Sequence, residues 1–184
     1  MSRTPPQQAA IALRDGRVVL LSVLRSGDAT DVERLVDQVG DPRVMFYTQA
    51  TERRANATQP LAASGEFVAR AAEGGQLVGY TAYLAGEHAS GELAGVVEPR
   101  FAGVGLGTLL LRRAADAARL AGLKTLRVEL PPGSDATAAM LRDAGLTSRW
   151  DLAYPVARVE LTLGTSRPGW STPDCLPIAD EAAG

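Results

Sequence analysis

The stretch RFAGVGLGT, residues 100–108, lies between a predicted strand and a long predicted helix. Glycine stands at alternate positions in it, at Gly103, Gly105 and Gly107. Glycine lets the backbone approach a ligand closely and adopt positive φ, and the first N–H groups of a helix have no partner within the helix. A tight turn without a ligand needs fewer glycines than this. We therefore predict that the turn cradles a pyrophosphate group.

The spacing of the glycines excludes two common phosphate-binding loops. A Walker A loop ends in Gly-Lys-Ser/Thr, whereas Gly107 is followed directly by Thr108. A dinucleotide fingerprint requires G-x-G-x-x-G, and the two possible frames place Thr108 or Leu110 where the third glycine would stand. The pattern that fits is [QR]-x-x-G-x-G, which starts at Arg100.

The flanking sequence predicts alternating strands and helices. A capping box at residues 30–33 predicts the start of the first helix, and the turn EGG at residues 73–75 predicts a hairpin. We predict strands at 17–24, 66–72, 76–84, 92–97, 125–130 and 157–163. We predict four helices: one that starts at residue 30 and ends before Pro42, one over 53–63, one from the glycine-rich segment to about 121, and one from Ser134 or Asp135 to 144. This order indicates a mixed α/β fold, with an antiparallel meander followed by a βαβ unit.

Length and composition indicate one domain. The chain has 184 residues and a mass of 19.3 kDa, with 46% hydrophobic and 22% charged residues, which is enough to form a core. No apolar run approaches the ~18 residues of a membrane span, so we expect a soluble cytoplasmic protein and no membrane partner. Composition predicts a disordered N-terminal tail at residues 1–10, a domain at 11–163 and a flexible C-terminal tail at 164–184.

Several classes of site are excluded by residue counts. One cysteine, Cys175, rules out an internal disulfide, a CxxC redox site and a cysteine zinc site, and one histidine, His88, rules out a His-rich metal centre. We therefore predict no metal. The net charge of −2 gives no basic field for nucleic acid.

The motif at Arg100 resembles motif A of the GNAT acyltransferase superfamily, and the predicted order of elements is also similar to the GNAT order. The resemblance covers residues 11–163. It implies a mixed, mostly antiparallel twisted sheet with a βαβ acyl-CoA unit and helices on both faces. It also implies that the pyrophosphate of acetyl-CoA is held by Ala102, Gly103, Val104, Gly105, Leu106, Gly107 and Thr108.

The same resemblance assigns roles outside the loop. The strand at residues 92–97 would carry a bulge, and the backbone of Gly95, Val96 and Val97 would pair with pantetheine and polarise the thioester carbonyl. Ser134 stands where many members have an Asn that contacts the coenzyme. Leu141 stands where many have a Tyr that protonates the leaving thiolate, so that acid is missing here.

A second resemblance concerns the start and middle of the chain. LRDGRV at residues 13–18 and GELAGVV at residues 91–97 are similar to the GNAT domains of bacterial protein lysine acetyltransferases of the Pat type. This resemblance places the catalytic base at Glu92. A solvated strand-end glutamate is the alternative interpretation of that residue.

The residues also offer other candidates for a site. The rival bases are Glu98, which we expect to be exposed, Glu129, and His88, which we expect in an exposed turn. On the long helix, charged residues at i,i+3 and i,i+4 spacing predict a solvated face with ion pairs. Arg112 on this face is a candidate for binding a phosphate of the coenzyme.

We therefore expect a bacterial acetyl-CoA-dependent N-acetyltransferase that acts on a primary amine, with a protein lysine as the first hypothesis. Acetylation of a small-molecule amine is the second hypothesis. An acyl-CoA-binding sensor or scaffold without turnover is the third. The sequence leaves the oligomeric state open.

Overall fold

The computed structural model describes residues 8–40, 45–46, 64–153 and 156–164. The strands are β1 (Gln8–Ala12), β2 (Val18–Val23), β3 (Met45–Phe46), β4 (Ser64–Ala71), β5 (Leu77–Ala85), β6 (Ser90–Val97), β7 (Thr125–Leu130), β8 (Thr147–Ala153) and β9 (Val156–Thr162). The helices are α1 (Ala29–Val39), α2 (Leu106–Leu120) and α3 (Asp135–Asp143). The helix predicted at 53–63 lies outside the described residues.

The described strands form one nine-stranded sheet in the order β1-β2-β4-β5-β6-β7-β9-β8, with β3 paired to β6. Within these residues every pair is antiparallel except β6 with β7. The parallel pair and α2 between its strands form the predicted βαβ unit. The predicted fold class, a mixed and mostly antiparallel sheet with helices on both faces, is confirmed.

Helix α2 packs on one face of the sheet through an apolar stripe at helical spacing. Its buried residues are Leu106, Leu110, Leu111, Ala114, Ala115 and Ala118. The helix comes very close to β5, because a Cβ placed on Gly79 would lie 2.7 Å from Leu110 Cδ1. A side chain at position 79 would therefore have to displace the end of the Leu110 side chain of α2.

Helix α1 covers the opposite face over β4, β5 and β6. Val32, Leu35 and Val39 are buried and form a second apolar cluster with sheet residues that include Tyr80 and Val96. Each such aliphatic side chain contributes about 1.5–3 kcal/mol on burial. None of the helices in the described part of the chain is long and apolar enough to cross a membrane.

Three sequence-based expectations are wrong. Helix α1 begins at Ala29 after a 3₁₀ turn, and the carboxylate of Asp28 accepts from the N–H of Arg25 at 2.8 Å, so the capping box at 30–33 does not form. Residues 8–10 belong to β1 rather than to a tail. The pairing of β5 with β6 keeps one register from Gly79↔Val97 to Ala85↔Gly91, so β6 has no bulge against β5.

An ion-pair cluster ties the start of α1 to β4. Arg70 donates to Asp28 at 2.7 Å and to Asp31 at 2.8 Å. Burial raises the pKa of Asp28, but hydrogen bonds from Arg25 and Arg70 outweigh it and hold this pKa below the ordinary value. The hydrogen bond from Arg70 is the main reason why the pKa of Asp31 is lowered as well.

We expect Arg70→Met to lower the free energy of unfolding at pH 7 by about 1 kcal/mol. A lowered carboxylate pKa adds stability above its ordinary value of 3.8, and this stability is lost as the pH falls through the lowered pKa. The gap between variant and wild type should therefore close in acid, as measured by urea unfolding from pH 7 to pH 3. Arg34→Met is the matched control, because it removes only an exposed i,i+3 pair with Asp31. An equal loss in the two variants would contradict this role of Arg70.

Candidate functional site

The glycine-rich loop leads from β6 into α2. Phe101 anchors it in the core, and Gly103 and Gly105 have φ of +75° and +94°, which other residues rarely adopt. Gly105 occupies the N-cap of α2 and has no side chain to cap the helix. The first intrahelical bond runs from Leu109 N to Gly105 O at 3.0 Å, which leaves the N–H groups of residues 106–108 without an intrahelical acceptor.

The third glycine has a packing role. A Cβ on Gly107 would lie 2.5 Å from Met140 Sδ on α3, so this glycine lets the first turn of α2 contact α3. Both helices start at the carboxyl ends of the parallel strands β6 and β7. Their N-terminal ends therefore lie at the same edge of the sheet, and both direct positive dipole ends there.

Strands β6 and β7 separate beyond a short parallel segment. They pair from Ser90↔Thr125 to Glu92↔Arg127 and no further. Along a strand, the backbone N–H and C=O groups of successive residues point alternately toward the neighbouring strand on one side and on the other side. Because Glu98 N donates to Val78 O on the β5 side, the groups of Gly95 and Val97 face the open side.

The short strand β3 occupies part of this open side. It bridges Met45 to Val96 and Phe46 to Gly95. Two of the three strand residues predicted to pair with pantetheine are therefore bridged by the chain itself, while Val97 has no partner in β3.

Glu92, the predicted base, is the last residue of β6 that pairs with β7. Its Oε2 is buried without a hydrogen-bond partner. It lines an open cavity of about 670 Å³ between β6 and the β7-β9-β8 half of the sheet, on the α1 side of β6. No residue of the glycine-rich loop lines this cavity, so the predicted base and the predicted phosphate cradle occupy separate parts of the candidate site.

Charges alternate across the floor of this cavity. One row of register neighbours runs Glu92, Arg127, Glu160, Arg149, and the next runs Glu129, Arg158, Asp151. Arg127 Nε lies 3.8 Å from Glu160, and its Nη2 donates to Ser90 Oγ at 3.2 Å. The lining has four carboxylates and three guanidinium groups, so it favours a cationic ligand slightly.

Two of the rival bases differ from Glu92 in their partners. Glu98 is only 7% exposed and its Oε1 accepts from Arg100 Nε, so the expectation of an exposed Glu98 is wrong. Glu129 lines the cavity, but it accepts from Arg158 Nε at 3.1 Å. His88 lies in an exposed turn as expected.

The remaining candidates lie on α2 and at or within α3. Ser134 is 6% exposed, stands at the N-cap position of α3 and has a buried Oγ without a partner. Leu141 is fully buried in the core. Arg112 Nε donates to Ala144 O at 3.2 Å and so connects α2 to the end of α3.

The contact between the N-terminal hairpin and the loop was not predicted from the sequence. Arg14 N donates to Val104 O at 3.2 Å, and Arg17 Nη2 donates to Arg100 O at 2.7 Å. Arg17 also stacks 4.0 Å from the centroid of the Phe101 ring. About 85 residues separate the partners, so no local pattern could predict this pairing.

Comparison with family models gives a match over residues 33–146 to the acetyltransferase (GNAT) family. This match covers more than half of the chain. The chain belongs to the GNAT acetyltransferase family. A sequence comparison with curated proteins finds no match.

Solved structures share the GNAT fold with this chain. The GNAT domain of S. lividans PAT has a TM-score of 0.69 at 21% identity, with 88% of this chain and 99% of that domain covered. A cAMP-binding acyltransferase from Mycobacterium smegmatis has a TM-score of 0.61 at 17% identity, with 85% and 47% covered. Spermidine N-acetyltransferase from Vibrio cholerae, solved with CoA and spermine, has a TM-score of 0.59 at 17% identity, with 79% and 95% covered.

Proposed function

We propose that this GNAT protein transfers an acetyl group from acetyl-CoA to a primary amine, with a protein lysine as the acceptor. The observation that carries the proposal is the buried, unpartnered Oε2 of Glu92, at the point where β6 separates from β7. The similarity in fold to the PAT domain supports a lysine acceptor. The open cavity in front of Glu92 offers space for an extended side chain that carries an amine.

The chain offers polar groups for each part of the coenzyme. The free N–H groups of residues 106–108 and the positive end of α2 suit a pyrophosphate. The peptide groups of Val97 face the open side of β6 and suit an amide of pantetheine. The orphaned Oγ of Ser134 suits another polar group of the same arm.

Strand β3 bears on how the pantetheine arm is held. Its bridge to Gly95 uses the side of β6 at which the proposed arm would pair. One edge of a strand accepts one partner at a time, so β3 has to release Gly95 for the full set of proposed contacts. This competition is the specific observation that favours the third hypothesis, a GNAT module that binds the coenzyme without turnover.

Glu92 supplies the proton acceptor in this reaction. A lysine amine has an unperturbed pKa of ~10.4, so nearly all of it is protonated at pH 7 and cannot attack. A carboxylate in contact with the acceptor, directly or through one water, takes that proton. Acetyl-CoA supplies the activated acetyl group: the new C–N bond forms, the nitrogen loses its second proton to solvent, the C–S bond breaks and the sulfur leaves as thiolate. With Leu141 buried, that position of α3 gives no acid, and solvent protonates the thiolate.

Turnover on a panel of acceptors tests the proposal. Thiol release from acetyl-CoA should occur with lysine-containing proteins and should be weaker with polyamines and free amino acids. Faster release with a small amine would favour the second hypothesis. Tight CoA binding without release on any acceptor would favour the third.

We expect Gly105→Ala to weaken CoA binding about tenfold or more, because the added methyl group occupies the approach to the helix N–H groups. Gly122→Ala is the matched control: its φ of +90° gives the same backbone strain at the other end of α2, and nothing lies within 4 Å of the added group. Calorimetric dissociation constants measure both. Equal affinities in the two variants would argue against the cradle.

We expect Glu92→Gln to lower kcat by roughly 10²- to 10⁴-fold while CoA binding stays near wild type. Glutamine keeps the size of the side chain but cannot take the proton from the amine. Glu129→Gln is the control, because it neutralises a carboxylate in the same cavity that is paired with Arg158. Near-wild-type turnover of Glu92→Gln would exclude Glu92 as the base, and a parallel loss of turnover and CoA binding would show a structural role instead.

A further inference from the structure

The turn between β1 and β2, residues 13–17, is docked on the glycine-rich loop. Leu13 N donates to Arg17 O at 2.7 Å and closes the turn. The turn contacts the loop at three places, through Arg14 N to Val104 O, Arg17 to Arg100 O and Arg17 over the ring of Phe101. These contacts fix where the side chains of the turn stand relative to the start of α2.

The side chain of Arg14 lies beside the N-cap of α2. A Cβ built on Gly105 would be 3.6 Å from Arg14 Nε and 3.8 Å from its Cδ and Cγ. Arg14 therefore runs along the face of Gly105 that the missing side chain leaves open. Arg14 as a whole residue is exposed to solvent.

Arg14 differs from the other two arginines near the loop. Arg17 pairs with Asp15, and Arg100 pairs with Glu98. In the part of the chain that the structure describes, Arg14 has neither an ion pair nor a side-chain hydrogen bond.

This placement is electrostatically unfavourable unless an anion is bound. The N-terminus of α2 carries the positive end of the helix dipole, which repels a guanidinium group. No carboxylate of the described residues forms an ion pair with Arg14. A phosphate at the loop would interact favourably with both the free N–H groups of residues 106–108 and the fork of N–H donors on arginine.

A second buried group marks the same edge of the sheet as a ligand site. Ser134, at the start of α3, keeps a buried hydroxyl oxygen without a partner. A buried polar atom without a partner costs free energy, so native structures seldom keep one unless a ligand or water satisfies it.

We propose that Arg14 is a phosphate ligand of the acyl-CoA coenzyme, and this rests on the proposed function. The hairpin delivers its guanidinium group to the loop from outside the region that the family model covers, residues 33–146. The ligand chemistry is a phosphate group, either of the pyrophosphate or of the 3′-phosphate.

The test measures dissociation constants of CoA, 3′-dephospho-CoA and pantetheine for wild type and Arg14→Ala. The variant should bind CoA roughly 10- to 100-fold more weakly, as expected for the loss of a charge-assisted hydrogen bond. Pantetheine, which has no phosphate, should bind equally to both proteins. A loss on 3′-dephospho-CoA as large as on CoA assigns Arg14 to the pyrophosphate, and a loss on CoA alone assigns it to the 3′-phosphate.

Two further variants control the result. Lys124→Ala removes one positive charge at the opposite end of the βαβ unit, next to the start of β7, and should leave the affinity for CoA unchanged. Arg14→Lys keeps the charge and should recover part of the loss. Arg14→Ala retains the backbone N–H that binds Val104, so thermal melting should show an intact fold.

The outcomes separate this inference from the proposed function. If wild type binds CoA and Arg14→Ala binds it equally well, the role of Arg14 is overturned but the proposed function is not. An equal loss on pantetheine and CoA also overturns it, because it shows a general distortion of the site. Wild type that binds no CoA overturns the proposed function and, with it, the role of Arg14.

Discussion

The separation of β6 from β7 is the constraint on which the rest of the site depends. The two strands are parallel neighbours for three residue pairs; beyond Glu92↔Arg127 they no longer pair with each other, and β3 bridges β6 at Gly95 and Val96. A sheet that stayed paired would use the peptide groups of Gly95 and Val97 for pairing with β7. Because it parts, the side chain of Glu92 stands at the fork, and the helices that follow β6 and β7 bring two positive N-termini to the mouth of the gap.

Close packing holds this arrangement in place. The absence of side chains at Gly79 and Gly107 lets α2 approach β5 and α3, where a Cβ would lie within 2.7 Å of Leu110 Cδ1 and 2.5 Å of Met140 Sδ. The position of α2 is thus fixed by its contact with β5 of the sheet and by its contact with α3. The N–H groups at its start point in a set direction before any ligand arrives, which lowers the cost of ordering the site on binding.

Local patterns in the sequence predict the fold better than they predict the surroundings of the site. Alternating glycines and the apolar stripe of α2 are local signals, and both the loop and the βαβ unit were predicted correctly. Strand β1, with the sequence QAAIA, and strand β8, TSRWDLA, lack a run of β-branched residues and were missed. The burial of Glu98 and the hairpin contacts of Arg14 depend on residues far apart in the chain, so composition and spacing carry no trace of them.

Pairing, rather than position alone, distinguishes Glu92 among the carboxylates near the fork. Glu98 also has a buried oxygen without a partner, its Oε2, but its Oε1 accepts from Arg100, and Glu129 accepts from Arg158. A proton taken by either carboxylate would therefore weaken an existing ion pair. Arg127 is the register neighbour of Glu92, yet its donors reach Glu160 and Ser90. Arg127 and Arg158 thus pair with Glu160 and Glu129, and Glu92 keeps a buried oxygen that has no donor. A carboxylate in this state gains a hydrogen bond when a protonated amine enters the cavity, and this gain draws the acceptor to the group that would deprotonate it.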